Sequence, residues 1–204
     1  MTRSDSRIYL ASRSPRRREL LLQLGVAFDE LLAHEMHGAD VDETPHAREP
    51  PAAYVMRLAC AKAALGWRQV VTRGLAPRPL LAADTTVVLN GEILGKPSDA
   101  EHARHLLRRL AGNTHEVLTA VAVTREERME TALSVSTVEF RHIDDAEIID
   151  YVATGEPLDK AGAYAIQGRA ATFVRVLEGS YSGIMGLPRR ETAELLRRFC
   201  REPI

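Results

Sequence analysis

One aspartate, Asp84, directly follows an apolar segment and is the first candidate for chemistry. Residues 80–83 read as a buried strand, which would place the Asp84 carboxylate at the carboxyl end of that strand. The α/β proteins tend to bind ligands at such ends. The carboxylate could bind a divalent cation or accept a proton from water. A turn aspartate that hydrogen-bonds within its own loop is the alternative.

A second candidate is the polar turn Ser12-Arg13-Ser14-Pro15-Arg16-Arg17. Ser14 is a suitable N-cap and Pro15 a suitable first helical residue, so the turn exposes the free N–H groups of a helix start. Those groups attract phosphate. Two arginines in a first turn are unfavourable for the helix dipole, which hints at a functional reason for them. Solvated surface charge is an equally good explanation of Arg16 and Arg17.

Two further segments contain residues suited to binding a nucleotide. In Gly95-Lys96-Pro97 the glycine permits close backbone approach, and Lys96 offers a point charge for phosphate. Residues 159–168 are mostly small and include two glycines, with Gln167 as a directional donor and acceptor. Such a segment suits contact with a flat ligand. An ordinary loop and a tight structural turn are the simpler interpretations.

Other familiar sites lack support. His34 and His37 are close in sequence but have no convincing third ligand for zinc. The dinucleotide pattern GxGxxG, the phosphate-binding pattern GxxxxGK[ST] and the redox pattern CxxC do not occur in the sequence.

The strands and helices that the sequence predicts interleave along the chain, which indicates an α/β fold with at least one antiparallel hairpin. We predict strands over residues 8–11, 28–32, 80–84, 114–124, 129–140 and 172–177, and a hairpin of residues 85–89 and 92–94 around Asn90-Gly91. We predict helices over residues 15–24, 52–65, 144–153 and 188–200, with Gly66 just after the end of the second. A further helix begins at a capping box formed by Ser98 and Glu101 and ends near Leu110. Leu106, Leu107 and Leu110 are expected in the core.

The bulk composition limits the class of protein. The chain has 204 residues, which suits one domain, 1–204, or two small lobes sharing a sheet. Its net charge of -1 gives no overall field for nucleic acid or an anionic membrane, so affinity for phosphate must be local. Only two cysteines and no signal peptide or membrane span are found, which predicts a soluble, cytoplasmic protein.

Taken together, the motifs resemble the Maf family of nucleoside triphosphate pyrophosphatases, almost from end to end. Each motif is ordinary alone, but their order and spacing are specific. They are Leu10-Ala11-Ser12, Ser14-Pro15-Arg16-Arg17, Glu19-Leu20-Leu21, Val41-Asp42-Glu43, Arg57-Leu58-Ala59, Lys62-Ala63, Ala83-Asp84-Thr85, Gly95-Lys96-Pro97, residues 155–164, Ile166-Gln167-Gly168, Gly179-Ser180-Tyr181 and Gly186-Leu187-Pro188.

The resemblance implies a fold like that of inosine triphosphate pyrophosphatases: a long mixed β-sheet with helices on both sides and two lobes around a cleft, often as a homodimer. It implies cleavage between the α and β phosphates with a divalent cation, Mg²⁺ or Mn²⁺. Asp84 would be catalytic and, with Glu43, would hold the metal. The phosphate-binding positions would be Ser12, Arg16, Arg17, Lys62 and Lys96.

The resemblance also bears on the base. Members with Arg16, Thr85 and Gln167 at these positions act on dTTP and UTP, whereas a branch acting on 7-methyl-GTP differs at the positions of Arg16 and Gln167. A glutamine can donate to uracil O4 and accept from N3–H, although a flipped amide would also suit cytosine. CTP therefore stays open.

Two other functions compete with catalysis. The family name is associated with cell division and septum formation, so a regulatory protein without activity is one alternative. A nucleic-acid binder that uses Arg16 and Arg17 is another, but the neutral charge balance and the lack of a basic-aromatic surface argue against it.

Overall fold

A computed structural model describes residues 7–31 and 41–200. The strands are β1 (Ile8–Leu10), β2 (Phe28–Glu30), β3 (Leu80–Leu89), β4 (Glu92–Leu94), β5 (Thr114–Arg125), β6 (Arg128–Phe140) and β7 (Val174–Glu178). The helices are α1 (Pro15–Gln23), α2 (Pro51–Thr72), α3 (Ala100–Leu110), α4 (Asp145–Ala153), α5 (Tyr181–Ile184) and α6 (Arg189–Phe199). Short 3₁₀ turns cover Glu156–Asp159, Ala161–Ala163 and Arg169–Phe173. His34 and His37 lie outside the described residues.

The strands form one mixed sheet in the order β2-β1-β3-β5-β6-β7, with β4 also paired to β3. Strand β1 runs parallel to both β2 and β3, and the remaining pairs are antiparallel. The Asn90-Gly91 turn joins β3 to β4 with positive φ at both residues, as the two-residue hairpin predicts. The predicted α/β class and mixed sheet are confirmed.

Helices cover both faces of the sheet because alternate strand residues point to opposite sides. Leu80 packs on one face against Leu58 of α2. Leu81, the next residue, packs on the other face against Leu21 of α1 and Leu196 of α6. A third apolar cluster, formed around α3, α4 and the far ends of β5 and β6, contains Leu106, Leu107 and Leu110 as expected.

The sheet opens along one edge of β3. Strand β1 pairs only with Leu80 and Leu81, and β4 pairs only with Val87, Val88 and Leu89. Among the described residues, positions 82–86 therefore have a strand partner only on the β5 side. This gap separates two lobes and leaves a cleft whose floor is the middle of β3.

The predicted position of Asp84 at the end of a strand is wrong. Asp84 lies in the middle of β3, because the predicted strand 80–84 and the hairpin strand 85–89 are one continuous strand. Its side chain can still face a ligand, since the neighbouring strand is missing at this point.

The predicted end of the second helix at Gly66 is also wrong. Helix α2 continues to Thr72. A Cβ at Gly66 would lie 2.8 Å from Leu80 Cδ1 and 3.0 Å from Ala11 Cβ. The glycine is therefore a point of close approach between helix and sheet and does not terminate the helix.

Smaller differences concern element ends. Asp99, and not Ser98, caps α3 by accepting a hydrogen bond from the His102 amide. Strand β7 begins at Val174, two residues later than predicted, because Thr172 belongs to a 3₁₀ turn. Across residues 7–31 and 41–200, no helix is both long and apolar enough to cross a membrane.

Candidate active site

The opening in the sheet forms a cleft of about 650 Å³. It is bounded by the turn before α1, the middle of α2 and β3, the residues after β4, and the loop of residues 159–167. All the residues proposed from sequence line it: Ser12, Arg16, Arg17, Glu43, Lys62, Asp84, Thr85, Lys96 and Gln167.

The alternation of β3 sends its two central polar side chains in opposite directions. Asp84 points to the face that carries α2, and Thr85 to the face that carries α1 and α6. Asp84 therefore meets Lys62, whereas Thr85 meets Arg17. Both reach the same cleft because the sheet is open at this point.

Lys62 connects two carboxylates at the cleft floor. Its Nζ lies 2.6 Å from Asp84 Oδ1 and 2.6 Å from Glu43 Oε1, so these oxygens are at most 5.2 Å apart. Burial raises the pKa of Glu43, but the hydrogen bond from Lys62 and the charges of Lys62, Lys96 and Arg13 bring that pKa below its ordinary value. Glu43 is therefore an anion at neutral pH.

Asp84 uses only one of its oxygens in this contact. Its side chain is 11% exposed, and Oδ1 takes the hydrogen bond from Lys62. No donor within residues 7–31 and 41–200 hydrogen-bonds Asp84 Oδ2. That oxygen is available to a water molecule in the cleft.

Arg57 holds the segment that carries Glu43, and sequence reasoning assigned it no role. Its guanidinium makes two 2.7 Å hydrogen bonds to Glu49 and one of 3.1 Å to the Thr44 carbonyl. Arg57 lies on α2 ahead of Lys62, so the same helix anchors the segment and supplies the cation that Glu43 meets. No local pattern in the sequence predicts that Arg57 and Glu49 form this bidentate pair.

Arg17 is built into the cleft wall. Its Nε donates to the Gly186 carbonyl at 2.8 Å, and its terminal nitrogens donate to Ser12 Oγ and Thr85 Oγ1 at 3.3 Å each. Burial lowers the pKa of Arg17, partly opposed by Asp84 and Glu43, but an arginine stays charged. It accordingly provides a fixed positive charge.

Arg16 and Lys96 form no hydrogen bond or ion pair with the rest of the described chain. Arg13 and Lys160 also line the cleft and were not among the proposed site residues. Six lysine and arginine side chains thus face three carboxylates, an excess of three positive charges. The cleft thus concentrates positive charge in a chain whose overall charge is close to neutral.

The loop with Gln167 is fixed from beneath by polar groups. The Tyr151 hydroxyl accepts a hydrogen bond from the Ala165 amide and donates to Glu156 Oε1 at 2.7 Å. A Cβ at Gly168 would lie 2.2 Å from that carboxylate oxygen, so the glycine permits the contact. Gln167 itself is exposed on the cleft wall, where a base could meet its amide.

The charge arrangement at the floor fits a divalent cation. Glu43 and Asp84 already share one cation, the Lys62 ammonium, and carboxylate oxygens are suitable ligands for Mg²⁺ or Mn²⁺. No cluster of three or more His, Cys, Asp or Glu occurs within the described ranges. Further ligands would therefore be phosphate oxygens and water, as is usual for Mg²⁺ bound with a nucleotide.

Comparison with known sequences extends these observations. The family model described as Maf-like protein matches residues 7–199. The chain is 58% identical over 199 residues to a protein of Aromatoleum aromaticum, with 96% of each chain covered. It is 56% identical over 200 residues to one of Dechloromonas aromatica, with 97% of this chain and 100% of the other covered. Both relatives are named dTTP/UTP pyrophosphatase.

Solved structures agree on the fold. A HAM1 protein from Coxiella burnetii superposes with a TM-score of 0.54 at 16% identity, covering 94% of this chain and 98% of the other. The Ham1 protein of Staphylococcus aureus gives a TM-score of 0.50 at 15% identity, covering 95% and 97%. The expected two-lobed fold with a central mixed sheet is confirmed.

Proposed function

The chain belongs to the Maf-like protein family, and on that premise we propose that it hydrolyses dTTP and UTP to the monophosphate and pyrophosphate. Relatives at 52–58% identity bear the name of this activity. The observation that carries the proposal for this chain is Lys62 bridging Asp84 and Glu43 on the floor of a cationic cleft. A regulatory protein without catalysis would have no need for this arrangement.

The cationic wall supports binding of a triphosphate. Such a group carries up to about four negative charges, which repel an attacking nucleophile unless nearby cations reduce the repulsion. Arg16 and Lys96 form no hydrogen bond or ion pair within the described chain, and Arg17 is held in place by three hydrogen bonds. We assign these three residues, with Ser12 and Lys62, to the phosphates.

Asp84 is the proposed general base. Lys62 holds Oδ1, and Oδ2 can accept the proton of a water that attacks the α-phosphorus. The bond between the α-phosphorus and the bridging oxygen then breaks, and pyrophosphate leaves. Lys62 keeps the carboxylate oriented through its hydrogen bond to Oδ1.

Asp84 and Glu43 would together hold the divalent cation, with Mg²⁺ and Mn²⁺ as the candidates. When bound, it would neutralise phosphate charge and polarise the phosphorus–oxygen bonds. Lys62 would then contact the carboxylates from the α2 side.

We assign recognition of the nucleobase to the loop that presents Gln167. Its amide can donate to O4 and accept from N3–H of uracil or thymine. Arg16 and Thr85, which line the same cleft, are the other residues that we propose for base selection.

Location, assembly and domain organisation are proposals as well. The free thiols of Cys60 and Cys200 are consistent with a reducing cytoplasm. We propose one domain, 1–204, a homodimer in solution, and a nucleotide as the partner, with neither nucleic acid nor membrane. Light scattering after size-exclusion chromatography tests the dimer.

A panel assay in ¹⁸O-labelled water tests the reaction. We expect pyrophosphate release from dTTP and UTP, and slower release from CTP, 7-methyl-GTP and ATP, with Mg²⁺ or Mn²⁺ present. Attack at the α-phosphorus places the ¹⁸O in the monophosphate, which mass spectrometry detects.

Three outcomes would contradict parts of this proposal. Label in pyrophosphate would move the attack to the β-phosphorus. Turnover that survives EDTA would argue against the metal. No hydrolysis of any nucleotide would favour the regulatory alternative.

A further inference from the structure

Four hydrogen bonds beside the cleft run from Arg17 through two threonines to the segment of residues 183–186, whose backbone closes them into a ring. Arg17 donates to Thr85 Oγ1 at 3.3 Å, and Thr85 Oγ1 lies 2.9 Å from Thr119 Oγ1. Thr119 Oγ1 donates to the Gly183 carbonyl at 2.8 Å. Arg17 Nε donates to the Gly186 carbonyl at 2.8 Å, and the Gly186 amide donates to the Gly183 carbonyl at 2.9 Å, so the backbone of residues 183–186 closes the ring.

The direction of every proton in the ring is determined. A carbonyl only accepts, so the single hydroxyl proton of Thr119 must point to Gly183. The contact between the two hydroxyls then needs the proton of Thr85. Arginine only donates, so Thr85 receives the N–H of Arg17 on a lone pair.

This ordering has consequences on the cleft side. Thr85 can offer a ligand only a lone pair, because its proton is engaged by Thr119. Arg17 has five N–H groups, and three are used by Gly186, Ser12 and Thr85. Two remain, one on each terminal nitrogen, without a partner in the described chain. Phosphate oxygens are suitable acceptors for these two N–H groups.

We propose that Thr119 is a positioning residue that fixes the Arg17 guanidinium, through Thr85, for a phosphate of the substrate. Thr119 is 1% exposed and pairs with Thr85 across β3 and β5, so it cannot touch the substrate itself. Its hydroxyl acts only through the ring. The inference rests on the proposed function in one respect, that the anion is a nucleotide phosphate.

Gly183 explains how the ring can close. A Cβ at this position would lie 2.9 Å from Ser134 Oγ and 3.1 Å from Ser180 Cβ. The glycine lets α5 lie close enough to the sheet for its carbonyl to reach Thr119. The segment of residues 183–186 thus provides both carbonyl acceptors of the ring.

Calorimetric binding of inorganic pyrophosphate, without divalent metal, tests the ring without requiring turnover. Thr119→Val keeps the shape and removes the hydroxyl, and we expect pyrophosphate to bind about tenfold more weakly. Thr119→Ser keeps the hydroxyl and should stay within about twofold of the parent. Thr119→Ala and Thr119→Ser form a second pair that differs only in the hydroxyl, for use if the valine variant does not fold.

The Arg17→Lys background separates positioning from general stability. Thr119→Val should weaken pyrophosphate binding no further in that background, because the ring acts through Arg17. In turnover of dTTP, Thr119→Val should raise KM and change kcat by less than about threefold.

Equal binding by Thr119→Val and the parent would overturn the proposal. So would an unchanged effect in the Arg17→Lys background, or a loss confined to kcat. Failure of the parent to hydrolyse dTTP would instead refute the proposed function, and the pyrophosphate measurements would still decide the role of Thr119.

Discussion

At the residue scale, Lys62 determines what the two carboxylates can do. One ammonium contacts both Glu43 and Asp84 at 2.6 Å, which holds the two side chains close together. The geometry leaves Asp84 Oδ2 without a donor in the described chain. A carboxylate with one free oxygen can accept a proton from water, whereas an amide of the same shape cannot.

Asp84→Asn should therefore preserve the fold and lower kcat for dTTP by about 10² to 10⁴-fold. Steady-state turnover and thermal unfolding provide the two measurements. Asp42→Asn is a matched control, because Asp42 is an exposed carboxylate beside Glu43 that accepts from the Thr44 amide. Near-parent turnover in Asp84→Asn would remove this residue from the mechanism.

Gln167→Glu should lower kcat/KM for dTTP and UTP by about 10 to 100-fold, because a carboxylate would face a carbonyl oxygen of the base. The measurement is kcat/KM for dTTP, UTP, CTP and 7-methyl-GTP. Gln23→Glu adds the same charge on α1 outside the cleft and should leave the ranking unchanged. If Gln167→Glu keeps the parent's selectivity, the base is recognised elsewhere.

At the scale of elements, the distance between α2 and the sheet places Lys62 on Asp84. Gly66 lies one turn after Lys62 on the same face of α2, at the point where the helix touches Leu80 and Ala11. A larger residue there would move the helix away from β3. The contact between Lys62 and Asp84 thus depends on a glycine that has no chemistry of its own.

Gly66→Ala should raise KM and lower kcat of dTTP hydrolysis while costing only about 0–2 kcal/mol of stability. Crowding against Leu80 costs about 1–3 kcal/mol, and alanine returns about 1 kcal/mol of helix propensity. Kinetics and urea unfolding measure the two effects. Adding Leu80→Val removes the crowding δ-carbons and should recover part of the activity; a purely additive double variant would contradict the explanation.

Local patterns predicted most elements but misread Gly66. A glycine after an apolar helical stripe is typical of a helix end, and only the position of Leu80 shows that it serves a contact. Ser98 was misassigned for a related reason, since Asp99 competes with it for the same cap one residue later. In both cases the outcome depended on one neighbouring residue, Leu80 for Gly66 and Asp99 for Ser98, which the spacing of apolar residues does not reveal.

At the scale of the whole molecule, the site residues come from every part of the chain. The family resemblance identified Glu43 and Lys62, and the structure brings them to Asp84 because residues 82–86 of β3 have no strand partner on the side of β1 and β4 within the described chain. Thr119 could not be found this way. Its partner Gly183 is 64 positions away, and a buried threonine in a strand carries no signal of its own.

Global stability should fall as the solution becomes acidic, because of His115. This residue is 2% exposed and its Nε2 lies 2.9 Å from the Tyr164 hydroxyl in the core beside the Gln167 loop. Burial lowers the pKa of His115 to about 4, from an ordinary value of 6.5. Between these values the unfolded chain binds a proton that the folded chain does not, so stability decreases as the pH falls from 6.5 towards 4.

From this group alone, the free energy of unfolding should drop by about 2 kcal/mol between neutral pH and pH 5. Urea unfolding of the parent and of His115→Gln at pH 8 and pH 5 isolates the effect, because glutamine can still hydrogen-bond Tyr164 and does not titrate. The difference in free energy of unfolding between the parent and His115→Gln should be smaller by that amount at pH 5 than at pH 8. His105→Gln, at an exposed position of α3, is the control and should show no such pH-dependent difference. If the difference in free energy of unfolding between the parent and His115→Gln is the same at both pH values, the buried imidazole is protonated in the folded state.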